Sequence, residues 1–182
     1  MDHLVNNIPF NMLIVGPTNS GKSKFVVNQL CGPFRGKFDY IVLICPTFTH
    51  NRTFFRFDVK DPRFFVVACQ QHEVETWLKM VKFGFDGTNT LMVLDDCAAS
   101  NHVKGRTGPL VELAFSVRHL GISVWVLTQK ITSITPSFRE NVAAIILFYT
   151  PSQWIRKLKE NKYSYIVFGL RHQFKIFIQR FE

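Results

Sequence analysis

Short, almost wholly apolar runs alternate along this chain with longer stretches whose apolar positions recur at helical spacing. The apolar runs are Asn11 to Val15, "FDYIVLICP" stopped by Pro46, "RFFVVAC", "NTLMVLDDC", "ISVWVLTQ" and "AAIILFY". Each has the length of a strand and is apolar at consecutive rather than alternate positions, as in strands buried on both faces. Ser23 to Leu30, "HEVETWLKMVKFG" ending at Gly84, and "GPLVELAFSVRHLG" read as helices. The last has Pro109 in its first turn and Gly121 just past its end, with Leu110, Val111, Ala114, Phe115 and Val117 as a broad apolar surface for the sheet. A further helix is expected from Pro151 through Lys159, and "YSYIVFGLRHQFKIFIQRF" reads as two strands joined near Arg171 and His172. Alternation of this kind predicts an α/β fold in three layers, with a central, mostly parallel sheet and a C-terminal β-hairpin. No repeat or linker divides the 182 residues, so one domain over 1–182 is expected. The polar stretch "AASNHVKGRTG", Ala98 to Gly108, is the longest insert without a pattern in the second half, and such loops are often functional.

The first strand runs into "GPTNSGKS", which matches G-x-x-x-x-G-K-[ST] in full: Gly16, Pro17, Thr18, Asn19, Ser20, Gly21, Lys22 and Ser23. Glycines let such a loop turn its backbone N–H groups inward around a phosphate, and the N-terminus of the following helix adds positive potential. In this motif Lys22 reaches the β- and γ-phosphates of a nucleoside triphosphate and the Ser23 hydroxyl binds Mg²⁺. A chance glycine turn is the plain alternative, and the strand before the loop and the helix after it count against that.

"TLMVLDDC" delivers two acids to the end of a strand. Asp95 there would hold the Mg²⁺, directly or through water, and Asp96 would polarise the attacking water as general base. Gln129 ends "ISVWVLTQ". If that strand lies between the other two, its amide can orient water and sense the γ-phosphate; an ordinary polar strand cap fits the position as well.

Composition adds a partner class. With 47% hydrophobic and 19% charged residues the chain is not of the disordered class. No apolar run reaches the ~20 residues of a membrane span, and "MDHLVNNIPF" does not resemble a signal peptide. The net charge of +9 favours a polyanionic partner such as nucleic acid. Basic residues gather at Lys104 and Arg106, and again at Arg156, Lys157, Lys159, Lys162, Arg171, Lys175 and Arg180; a solvated helix face is the equal alternative for those on the helix from Pro151. Cys31, Cys45, Cys69 and Cys97 lie far apart with no C-x-x-C pair, so buried free thiols in a reducing compartment are expected. His102 and His172 have no partner at metal-ligand spacing, and the remaining acids form no evident metal cluster, so a nuclease is not expected.

"LDDCA", "SVRHLGISVWVLTQ" and "SITPSFRENVAAIILFYTPS", together with the phosphate loop, closely resemble the DNA-packaging ATPases of poxviruses, giant viruses and virophage-like relatives, within the FtsK–HerA superfamily of P-loop motors. The resemblance runs from Asn11 to about Phe177. It implies a RecA-like core binding ATP and Mg²⁺, a homo-oligomeric ring, pentamer or hexamer, and ATP-driven movement of double-stranded DNA into a capsid through a capsid or portal vertex protein. A viral protein acting inside the host cell, cytoplasm or nucleus, with retention in the virion left open, follows. It also implies catalytic roles for Lys22, Asp96 and Gln129, and for Arg118 as an arginine finger, with Arg139 in "SFRENV" as the other candidate. One departure stands out: the wider superfamily usually has Glu where this chain has Asp96. Another DNA translocase of that superfamily, a small-molecule P-loop kinase and an assembly switch that barely hydrolyses are the competing readings.

Overall fold

The computed structural model describes residues 2–50, 53–54, 61–97, 108–148, 166–170 and 173–175. Strands β1 (Asn11–Val15), β2 (Tyr40–Ile44), β3 (Phe64–Val67), β4 (Thr90–Leu94), β5 (Ile122–Thr128), β6 (Ala144–Phe148), β7 (Ile166–Leu170) and β8 (Gln173–Lys175) form one sheet in the order β3-β2-β4-β5-β1-β6-β7-β8. Neighbours are parallel throughout, except that β8 returns antiparallel along β7, with Gly169 opposite Phe174. This is the mostly parallel sheet with a terminal hairpin that the pattern predicts.

Alternate residues of the central strands supply opposite faces. Leu13 and Val15, Met92 and Leu94, and Val124 and Val126 join one core with Leu78 and Val81 of α3 (Val74–Gly84) and Leu110 and Leu113 of α4 (Pro109–Leu120). Met12 and Ile14, Leu91 and Val93, and Trp125 and Leu127 join the other, with Phe25, Val26 and Leu30 of α2 (Lys22–Cys31) and Leu4 of α1 (Asp2–Val5). A sheet covered on both faces cannot show the alternation of a half-exposed one, which is why its strands read as continuous apolar runs. Fully burying one such Leu or Ile is worth ~1.5–3 kcal/mol.

The elements differ from expectation in detail. The helix after the phosphate loop starts one residue earlier than Ser23, at Lys22. The stretch from His72 divides into a 3-10 turn over Gln71–Glu73 and α3. A short helix, α5 (Pro136–Glu140), lies inside "SITPSFRENV": Thr135 caps it by accepting from Phe138 N–H at 3.2 Å, and Pro136 occupies its first turn. Phe115, expected on the apolar face of α4, is 62% exposed, because it stands a further 100° around the helix from buried Ala114. Cys31 is exposed, whereas Cys45, Cys69 and Cys97 are buried, and all four are free. The expected helix Pro151 to Lys159, residues 98–107 of the insert, the turn at Arg171 and His172, and every residue of the two basic clusters except Lys175 lie outside the described residues. Among the described residues no helix is long and apolar enough to cross a membrane.

Chain direction sets which ends meet. α4 leads to the start of β5, so its C-terminal end lies at the amino edge of the sheet. Asn11, at the start of β1, ties that edge together: its amide donates to Ala114 O at 3.1 Å and to Asn141 O at 3.2 Å. Between α4 and β5, Gly121 turns at φ 72, and a Cβ there would lie 2.5 Å from Thr88 O. Gly121→Val should therefore lower stability by ~1–3 kcal/mol through a strained backbone alone, with further loss from the clash. Urea unfolding of the two proteins measures it, and an unchanged midpoint would contradict the close approach.

Candidate nucleotide-binding site

β4, β5 and β1 are consecutive in the sheet, so the loops at their carboxyl ends share one edge. The loop after β1 is Gly16–Ser23. Its first N–H, from Gly16, donates to Thr128 O at 3.0 Å and so fixes the loop to the end of β5. A Cβ on Gly16 would lie 2.6 Å from Phe148 Cβ and 2.7 Å from Ser20 Oγ, so only glycine fits between β6 and the loop. Asn19 and Gly21 take left-handed conformations, φ 59 and φ 98, which fold the loop back over the start of α2. Pro17, Thr18 and Asn19 face solvent, and α2 has no acidic residue in its first turn, so its N–H groups keep their positive field.

Lys22 is only 8% exposed. Its ammonium curls into the loop and donates to Gly16 O and Pro17 O, each at 2.8 Å. Burial lowers its pKa, partly opposed by Asp95 and Asp96. Ser20 Oγ is buried in the same loop with no hydrogen-bond partner. A cation resting on carbonyls beside an unpaired hydroxyl is a site with donors to spare for an anion.

The two strand-end acids have different surroundings. Asp95 is 2% exposed, and Ser23 Oγ donates to its Oδ2 at 2.8 Å. Burial pushes its pKa up to about 6; Asp96 adds to the rise, while the Ser23 hydroxyl and Lys22 pull the other way. Asp96 is exposed, in a left-handed conformation at φ 57. Its Oδ2 accepts from Thr47 Oγ1 at 2.8 Å, and its backbone carbonyl accepts from Gln71 Nε2 at 2.6 Å. Cys45 Sγ lies 3.6 Å from Thr47 Oγ1, and burial pushes that thiol up to about 12, so it remains S–H. Gln129 is exposed immediately past β5, the strand between β1 and β4.

The structure thus brings the phosphate loop, Asp95, Asp96 and Gln129 to one edge of the sheet. Arg118 lies near the C-terminal end of α4, toward the opposite edge, and its side chain is outside the described residues. Arg139, in α5, is close to that opposite edge too, since Asn141 shares the Asn11 amide with Ala114. Sequence reasoning missed Thr47 and Gln71. Neither sits in a motif; they reach Asp96 only because β2 and β3 stack beside β4.

Two hard oxygens 2.8 Å apart, from Ser23 and Asp95, suit Mg²⁺, whose remaining ligands come from phosphate and water. Among the described residues no group of three or more His, Cys, Asp or Glu could hold a metal, and this type of site needs none. The raised pKa of Asp95 carries a stability cost. The carboxyl is ionised in both folded and unfolded chains above pH ~6, so the full cost of burying the charge is present there; it fades as pH falls toward 3.8. Asp95→Asn should therefore stabilise the nucleotide-free protein by ~1–3 kcal/mol at pH 7, with the gain shrinking below pH ~6. The same variant should lose the Mg²⁺-dependent part of nucleotide binding. Melting curves across pH and calorimetry with and without Mg²⁺ check both.

Comparison with solved structures finds the same fold in viral proteins. The genome packaging NTPase B204 of Sulfolobus turreted icosahedral virus 2 in complex with ATPγS superposes with a TM-score of 0.64 at 20% identity, over 83% of this chain and 82% of that one. The DNA-packaging ATPase B204 of Sulfolobus turreted icosahedral virus gives 0.65 at 22% identity, over 81% of each chain. The conjugation coupling protein TcpA of pCW3 gives 0.53 at 16% identity, over 74% of this chain and 47% of that one. At these identities the likeness is one of fold. No curated protein matches. The model of the poxvirus A32 protein family matches residues 2–164, a span that includes the phosphate loop, both strand-end acids and Gln129, and the chain belongs to that family.

Proposed function

We propose that this protein is an ATP-hydrolysing motor that moves double-stranded viral DNA into a preformed capsid within the infected cell. The observation that carries the reading is the 2.8 Å bond from Ser23 to Asp95, which joins a complete phosphate loop to the acidic end of β4. Membership of the poxvirus A32 family and the shared fold with B204, described as a genome packaging NTPase, support it.

The residues divide the work by position. Backbone N–H groups of Gly16–Ser23 and the start of α2 would hold the phosphates. The Lys22 ammonium would exchange its two carbonyl contacts for phosphate oxygens, a stronger charge-assisted pairing. Ser23 Oγ and the Asp95 carboxylate would hold Mg²⁺, which when bound neutralises charge on the β- and γ-phosphates. Asp96, exposed beside Asp95, would take a proton from the attacking water, and Gln129 at the end of β5 would orient that water. Asp96 is a methylene shorter than Glu, so its position must be set more tightly.

DNA-stimulated ATP turnover tests the reading. Turnover that rises with duplex DNA, is abolished in Lys22→Ala and falls ~10²–10⁴-fold in Asp96→Asn with nucleotide binding spared is the expected outcome. Turnover indifferent to DNA would leave an assembly switch or another NTPase instead.

Arg118 cannot serve its own phosphate loop. The seven residues of β5 separate the two edges of the sheet, ~20 Å at the usual rise per residue, beyond the reach of one side chain. A finger role therefore requires a neighbouring subunit, as in a head-to-tail ring. Arg118→Ala should bind ATP but lose ~10³-fold or more in turnover, and mixing it with Lys22→Ala should restore part of it. Mixed rings without recovery would remove Arg118 and point to Arg139.

A further inference from the structure

Asp96, assigned to the water, lies two residues past the end of its strand. β4 ends at Leu94, and Asp96 turns away at φ 57, a left-handed conformation that few non-glycine residues adopt unless their surroundings favour it. Two contacts favour it here. Gln71, in the 3-10 turn after β3, holds the Asp96 carbonyl at 2.6 Å. Thr47, just past β2, donates its hydroxyl to Asp96 Oδ2 at 2.8 Å. The hydroxyl is itself oriented: the Cys45 thiol, 3.6 Å away and kept protonated by burial, can donate to its oxygen and leave its proton for the carboxylate. Both grips come from the β3-β2 side of β4, while the phosphate loop lies on the β5-β1 side.

We propose that Thr47 is a positioning residue for Asp96: its hydroxyl pins one carboxylate oxygen so that the other is presented to the water beside the phosphate loop. The inference rests on the assignment of Asp96 as general base. One oxygen held by a fixed donor leaves a single free oxygen and a single carboxylate plane, which replaces the rotational freedom that a short, exposed Asp would otherwise have. The stem of a Glu would carry its carboxylate past Thr47; Asp brings it level with the hydroxyl. The shorter acid and the threonine thus form one device.

The test uses the whole protein and separates position from stability. Thr47→Val keeps the shape and removes the hydroxyl; Thr47→Ser keeps the hydroxyl. Thr47 is partly exposed, so neither change opens a cavity in the core. With DNA present, Thr47→Val should lower kcat for ATP ~10–100-fold and leave KM, the dissociation constant for ATPγS and the melting temperature as in the parent. Thr47→Ser should restore most of the rate. In an Asp96→Asn background Thr47→Val should cost nothing further, because the two act as one unit. Parental kcat in Thr47→Val, or additive losses in the double variant, would overturn the inference while leaving the motor intact. No turnover in the unaltered protein, or parental turnover in Asp96→Asn, would overturn the assignment beneath it.

Discussion

A carboxylate with almost no solvent around it, Asp95, receives its hydrogen bond from Ser23 in the first turn of the helix that follows the phosphate loop. Almost everything at this edge of the sheet depends on that contact. It joins β4 to α2 across β5 and β1, so the acidic strand end and the phosphate loop cannot move apart without breaking a hydrogen bond to a buried charge. Burial raises the carboxyl to about 6 and so weakens the apo fold at neutral pH, in the manner of groups kept for chemistry rather than for stability. The neighbouring ammonium shows the same economy: Lys22 rests on two backbone carbonyls that can give way to phosphate oxygens.

The sheet order explains why the remaining groups converge. Parallel strands bring all their carboxyl ends to one edge, and the crossover that places β5 between β1 and β4 puts Gln129 between the loop and the acids. Gly16 donates to the last carbonyl of β5, so the loop and the end of that strand are tied together. The same directionality sends the C-terminal end of α4 away from that edge, so the backbone at Arg118 lies far from its own chain's phosphate loop.

Much of this was legible in the sequence because the signals are local. The spacing of Gly16, Gly21, Lys22 and Ser23 specifies a loop whose geometry is nearly independent of its surroundings. Continuous apolar runs specify strands covered on both faces, and Gly121 marks a helix end through its own conformation. Other expectations failed where the pattern is degenerate. Phe115 lies at the margin of the apolar stripe of α4, and hydrophobicity alone does not say which margin is covered. Cys31, at the last position of α2, is solvent-facing for the same reason.

The sequence by itself determined the phosphate loop, the pair of acids at a strand end and the two-faced sheet, since each follows from residues within a few positions of one another. Only the tertiary structure decided that Asp95 is the buried acid and Asp96 the exposed one, since two adjacent aspartates are alike until one is folded beneath Ser23 and the other turned to φ 57. It alone placed Thr47 and Gln71 on Asp96, across separations of 49 and 25 residues that no local pattern records. Strand order is the physical reason: it is set by how whole faces pack, and it determines which strand ends become neighbours.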